Sequence, residues 1–145
     1  MNENNSQAPE SEGAATIVEL TSGSFSTSID DQPFAIVDFW APWCAPCRAF
    51  APVFAAAAAR HPDAVFAKVN TEDQQEIAAQ FGIRSIPTLM IFRDNIIVYS
   101  EAGAIGAGAL EQVLVAAKEL DMDAVRRSIE TQDDAGESEA AGARA

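Results

Sequence analysis

The chain has 145 residues, enough for one domain with a real core, and a formal net charge of -13. That charge argues against nucleic acid and against anionic membrane surfaces as partners. No run of eighteen apolar residues exists, so no transmembrane helix is expected, and two cysteines are too few for a disulfide scaffold. The acidity is spread over both tails and the middle, and its plain reading is solubility. The opening MNENNSQAPESEGAAT has no basic region followed by an apolar run. It does not read as a secretory signal, although a processed form could have shed one. The expectation is a cytoplasmic protein.

Residues 1–15 are polar, without a large apolar side chain after Met1, and read as a disordered segment. A first strand is predicted over Thr16–Leu20, then a short helix after Ser24 carrying Phe25 and Ile29. PFAIVDFW is nearly continuously apolar, as in a strand covered on both faces. Alternation puts Ile36, Asp38 and Trp40 on one side of it, and Ala35, Val37 and Phe39 on the other. A helix follows from about Cys44 to Arg60, alanine-rich in its second half, with Pro52 expected to kink it. AVFAKVN, about 64–70, is the next strand. EDQQEIAAQFGI is a helix ending at a Gly82 cap, with Ile83 beyond. TLMIF and IIVYSE are two strands joined by a three-residue turn, RDN, hence antiparallel to each other. From Gly106 to Leu120, Leu110, Val113, Leu114, Ala117 and Leu120 recur at helical spacing. DMDAVRRSIE forms a further short helix, with Met122, Val125 and Ile129 on one side, and the small, acidic remainder reads as disordered.

The order is β-α-β-α-β-α-β-β-α. The alternating part predicts parallel strands with crossovers, and the last hairpin an antiparallel edge. The fold class is therefore α/β: a mixed, five-stranded central sheet flanked by helices on both faces. The domain is expected over residues 16–120, between the disordered segment 1–15 and an acidic extension, 121–145.

Cys44 and Cys47, the only cysteines, flank Ala45 and Pro46 where the buried strand gives way to the long helix. Cysteine attacks as thiolate, and the unpaired N–H groups and positive dipole end of a first helical turn favour an anion. The Cys44 thiol pKa should therefore fall below its ordinary value of about 8.5. Cys47, three residues on, lies on nearly the same face and is more shielded. The two can close a small-ring disulfide, with Cys44 attacking first and Cys47 resolving. Pro46 removes a backbone donor and stiffens the turn. The rival reading, half a zinc site, lacks ligands: the sole histidine, His61, stands at the far end of the helix and is expected at the surface before Pro62. No metal is expected.

Asp38 interrupts the apolar strand six residues before Cys44. A carboxylate there should be poorly solvated and its pKa raised. Its functional reading is proton acceptor for Cys47, and its bland one a satisfied polar group at a strand end. Lys68, on the next strand, is either its neighbour or a side chain reaching solvent. Pro87, directly before TLMIF, is a candidate cis proline that sequence pattern alone does not establish.

Together these pieces resemble thioredoxin, from about Thr16 to Leu120. WCAPC, preceded by DFWA, corresponds to the family's W-C-G-P-C; GIRSIPT corresponds to G-I-x-x-I-P-T, and EAGA to V-G-A. DFWAPWC, VNTE and FGIRSIPT are closest to the branch that elsewhere carries an N-terminal zinc ribbon, which is absent here. The resemblance implies Cys44 as nucleophile, Cys47 as resolving thiol, Asp38 as buried acid, Lys68 as the lysine beside it, and Pro87 as the cis proline. It implies a shallow substrate surface of Trp43, Ile86, Pro87, Gly103 and Ala104, joined by Ala45 and Pro46 of the redox motif itself. Trp40 would pack beneath the site, and Pro52 would bend the long helix. Lowered thiol pKa is an established property of thioredoxins, so its size comes with the family. Ala45 departs from the usual glycine, and Asn95 stands where the hairpin usually has glycine.

The expected function is protein-disulfide reduction by dithiol–disulfide exchange, in the service of cell redox homeostasis and electron transport. No cofactor is expected on this chain; electrons would come from NADPH through a thioredoxin reductase. Its partners would be disulfide-containing proteins, and the chain would be a monomer. The rivals are a binding module that has kept the fold, and a thiol oxidant or isomerase of an oxidising compartment.

Overall fold

The computed structural model describes residues 16–131; the segments expected to be disordered, 1–15 and the tail beyond 131, lie outside the described residues. The elements are β1 (Ile17–Glu19), α1 (Phe25–Ile29), β2 (Phe34–Trp40), α2 (Ala45–Arg60), β3 (Val65–Asn70), α3 (Gln75–Gln80), β4 (Thr88–Arg93), β5 (Ile96–Ala102) and α4 (Ala107–Lys118). A further helix, α5, spans residues 122–131. The five strands form one sheet in the order β1-β3-β2-β4-β5.

β3 runs parallel to both β1 and β2, as the alternation predicts. β4 does not: it lies antiparallel to β2, with Ile36 opposite Ile91 and Asp38 opposite Leu89. The connection explains the correction. A parallel return needs a crossover that carries the chain back along the whole strand. The six residues of α3 rise only about 9 Å, against about 20 Å for a six-residue strand. The chain thus enters β4 at the end where it left β3.

The β4–β5 hairpin turns on two residues, not the three expected. Asp94 and Asn95 both hold positive φ, 53° and 68°, the geometry of a type I′ turn, which asparagine and aspartate tolerate. Gly82 ends α3 with φ +65°. Its N–H donates to the Ala79 carbonyl, and that of Ile83 to the Ala78 carbonyl, which is the Schellman pattern.

Burial follows the two faces of the sheet. On one, Ile36, Phe66 and Ile91 pack against Phe50 and Phe54 of α2 and Leu110 and Leu114 of α4. On the other, Val37, Phe39, Val69 and Met90 meet Ile29 of α1 and Ile77 of α3. α5 lies beside the edge strand. Met122 is buried, Val125 and Ile129 line a groove with Ile96, Ile97 and Val98, and Arg126 pairs with Asp94 at 3.2 Å.

Candidate active site

β2 delivers the chain from the middle of the sheet straight into α2. Ala41, Cys44 and Cys47 form a small buried cluster at this junction, with Trp40 and Ile86 packed on it. Cys44 is the N-cap of α2, in extended conformation, and its sulfur accepts the Cys47 N–H at 3.2 Å. Pro46, in the first turn, has no N–H to offer, which leaves the Cys47 amide as the donor aimed at that sulfur. Cys44 and Cys47 are joined as a disulfide, with Cα atoms 5.2 Å apart. Both are buried, Cys47 (1% exposed) more than Cys44 (5%). Once the bridge is reduced, the helix N-terminus favours negative charge on Cys44.

Across the cleft, the Ile86–Pro87 peptide is cis. The Ile86 carbonyl oxygen stands 3.7 Å from Cys44 Sγ. Pro87 in turn accepts a hydrogen bond from Gly103 N–H at 2.8 Å. Gly103 has φ +107°, a conformation that side chains disfavour, and Ala104 follows it at the exposed surface. Ala45 and Pro46 are exposed on the other side of the sulfurs. Trp43 is the most exposed large apolar side chain among the described residues, at 63%. Its indole N–H donates to Glu72 at 2.7 Å.

Glu72 is a partner the sequence reading missed. Its signal is the Asn70-Thr71-Glu72 run at the end of β3. Asn70 Oδ1 accepts the Glu72 N–H at 3.0 Å, and Thr71 ties the loop to the Trp40 carbonyl through both its N–H and its hydroxyl. That local turn sets the carboxylate beside the indole.

Asp38 is fully buried, and neither carboxylate oxygen has a hydrogen-bond partner. Loss of hydration pushes its pKa up to about 7, against a smaller opposing pull from Lys68 and a smaller upward push from Glu19. Lys68 is the register partner of Asp38 on β3. Its ammonium lies over the Trp40 ring, 4.4 Å from the centroid. Pro52 is inside α2 and exposed.

His61 corrects an expectation. It is buried at the C-cap of α2 instead of exposed, with Nε2 3.0 Å from Glu111 and Nδ1 2.7 Å from Lys118. It is distant in the fold from the cysteines and closes the opposite end of the helix. Among the described residues no cluster of His, Cys, Asp and Glu is arranged to hold a metal.

Comparison with known proteins agrees with this geometry. The family model described as Thioredoxin matches residues 16–116. A Streptomyces coelicolor protein named "Putative thioredoxin 2" is 49% identical over 115 residues, covering 79% of this chain and 86% of that protein. The thioredoxin of Porphyra purpurea is 43% identical over 102 residues, covering 68% and 94%. A solved structure of Plasmodium falciparum thioredoxin superposes with a TM-score of 0.65 at 29% identity, covering 69% of this chain and 98% of that one. With a cysteine pair capping α2 opposite a cis proline, and with these relatives, the chain belongs to the thioredoxin family of thiol–disulfide oxidoreductases.

Proposed function

We propose that this chain reduces disulfides in target proteins, and that the observation carrying the reading is Cys44 as N-cap of α2, bridged to Cys47 and facing the Ile86 carbonyl. In the reduced protein the Cys44 thiolate attacks one sulfur of a target disulfide. The target S–S bond breaks, a Cys44–target bond forms, and the second target sulfur leaves as thiolate and takes up a proton. Cys47 then loses its proton toward Asp38 and attacks Cys44 Sγ. The Cys44–Cys47 bridge closes, the target leaves with its second thiolate, and two electrons have passed to it.

The surface around Cys44 suits an extended segment. Ile86 offers backbone groups beside the sulfurs, and Trp43, Ala45, Pro46, Pro87, Gly103 and Ala104 offer a shallow rim without deep side-chain pockets. Such a rim accepts many sequences weakly, as a general reductant requires. Asp38 serves as proton acceptor, helped by a value near the working pH. Lys68 tunes it. Trp40 supports the site from beneath.

The dithiol is restored by a flavoprotein thioredoxin reductase drawing on NADPH; this chain holds no cofactor of its own. It acts as a monomer in the cytoplasm. Among the described residues no helix is long and apolar enough to cross a membrane. The test is reduction of insulin disulfides with dithiothreitol as donor. Turnover is expected in the parent, none in Cys44→Ser, and a trapped mixed disulfide in Cys47→Ser. An inactive parent sinks the reading. A chain kept only as a binding module would retain target binding in Cys44→Ser and show no turnover in the parent.

A further inference from the structure

A hollow of about 200 Å³ adjoins the substrate rim, and the exchange mechanism does not use it. It is lined by Arg84, Ser85, Thr88, Ser100 and Ala102, and by the 81–83 segment that follows α3. Pockets that enclose a small molecule hold about 300 to 1,000 Å³, so this one suits a single side chain of a larger partner. Its walls continue into the rim. Ser85 precedes Ile86, whose carbonyl faces the Cys44 sulfur, and Ala102 precedes Gly103, which donates to Pro87. The Thr88 hydroxyl donates to the Ser85 carbonyl and fastens this loop to the start of β4.

The hollow offers donors and no acid. Arg84 supplies a guanidinium, and Ser85 and Ser100 supply hydroxyls. Among the described residues no carboxylate pairs with Arg84, whereas Arg60, Lys118 and Arg126 each have one. The chain has 22 acids against 9 lysines and arginines, so a cation without an acid is a specific arrangement here. Arg48, which follows Cys47, is turned back onto the Pro42 carbonyl. Glu101, between Ser100 and Ala102 on β5, faces the other way. Ser100 and Ala102 pair with Met90 and Thr88, on the side of the sheet covered by α1 and α3. Glu101 pairs with Leu89, on the side covered by α2 and α4.

From this arrangement we propose that the hollow is a specificity subsite, in which Arg84 receives an acidic side chain of the target close in sequence to the attacked cysteine. The proposal rests on the reductase reading above. A planar guanidinium with hydroxyls beside it matches a carboxylate. A target segment laid along Ile86 rises about 3.3 Å per residue, so the side chain received stands about one or two residues from the cysteine. This preference runs against the bulk field, because a chain of net charge -13 repels acidic segments at long range. The subsite reverses that sign locally.

The experiment uses pairs of synthetic peptides, each a dimer linked by one disulfide, with Glu or Gln placed in turn at each position flanking the cysteine. The full chain reduces them with dithiothreitol as donor at low ionic strength. At the favoured position kcat/KM for the Glu peptide should exceed that for Gln by about three- to five-fold, the upper range for an exposed ion pair, and the gain should lie in KM. Added salt should shrink it. Arg84→Gln should bring the two peptides level, and Arg84→Glu should favour Lys at that position. Equal rates at every position, or slower reduction of the Glu peptides, overturn the subsite. A preference that survives Arg84→Gln overturns the part given to Arg84. Nitrogen-15 NMR of the Arg84 side-chain Nε tests the subsite without turnover, with serine in place of the peptide cysteine. The Glu peptide should move that resonance and the Gln peptide should not; a resonance that neither moves overturns the subsite. A parent that reduces neither peptide overturns the reductase reading instead, and the NMR measurement still decides the subsite.

Discussion

Two titratable side chains are buried at opposite ends of this sandwich, and their surroundings differ in kind. His61 has a partner on each ring nitrogen, Glu111 and Lys118, and those partners are anchored in turn by Arg60 and Asp63. Asp38 has none on either oxygen. A buried polar group with every bond made fastens the scaffold; a carboxyl buried without a protein partner is disfavoured in its charged form and readily holds a proton. The two ends of α2 thus separate into a reactive one, at Cys44 and Asp38, and a fastening one, at His61. Two further acids at the fastening end take the same character: hydrogen bonds from Lys118 hold the Asp63 carboxyl below its ordinary range, and His61 with Arg60 does the same for Glu111.

The sharpest way to break this contrast is at the sulfur. Cys44→Ser is expected to abolish disulfide reduction in the insulin assay while leaving thermal unfolding of the reduced form nearly unchanged, since oxygen replaces a buried cap atom of similar geometry and can still accept the Cys47 N–H.

Asp38→Asn should change both stability and rate. The sign follows from proton binding. The unfolded acid ionises near pH 3.8 and the folded one near 7, so between those values the native state binds more protons. Native stability therefore falls as pH rises through that window. The cost is absent below about pH 4 and fully present above about pH 7, where three pH units correspond to about 4 kcal/mol. Denaturant unfolding of oxidised Asp38→Asn against the parent should show almost no gap at pH 3.5 and a gap of a few kcal/mol in favour of the variant at pH 8. A pH-independent gap would mean that Asp38 ionises normally. The same variant should slow target release by about 100-fold.

His61→Ala carries the opposite sign. It leaves a gap where the ring stood and takes one partner from each of Glu111 and Lys118, which keep Arg60 and Asp63, and should lower stability by about 2 kcal/mol at neutral pH with turnover unchanged. Truncation after Leu120 should have the smallest effect. It removes α5 with Met122, costs about 1 to 2 kcal/mol, and leaves disulfide reduction at the parental rate. A truncated chain that lost activity would show that α5 reaches the site, which its position along β5 and the 94–95 turn argues against.

Much of the reactive end is legible along the chain. Cys44 and Cys47 are separated by local spacing, the apolar run of β2 tells which of its residues alternate, and Asp38 stands out because one charged residue breaks that run. These are short-range facts, carried by backbone geometry over a few residues. The fastening end is not legible this way. His61 next to Pro62 looks like a loop residue, and only the docking of α4 brings Glu111 and Lys118, fifty and fifty-seven positions away, against its ring.

The amino-acid order alone determined the helix and strand runs, the cysteine pair at a helix start and the isolated acid, because periodicity and capping act locally. Tertiary structure decided the direction of β4, the burial of His61, the Glu72 hold on Trp43 and the pairing of Lys68 with Asp38. Each of these depends on which strands and helices become neighbours, and that choice is made by packing the whole core rather than by any one segment.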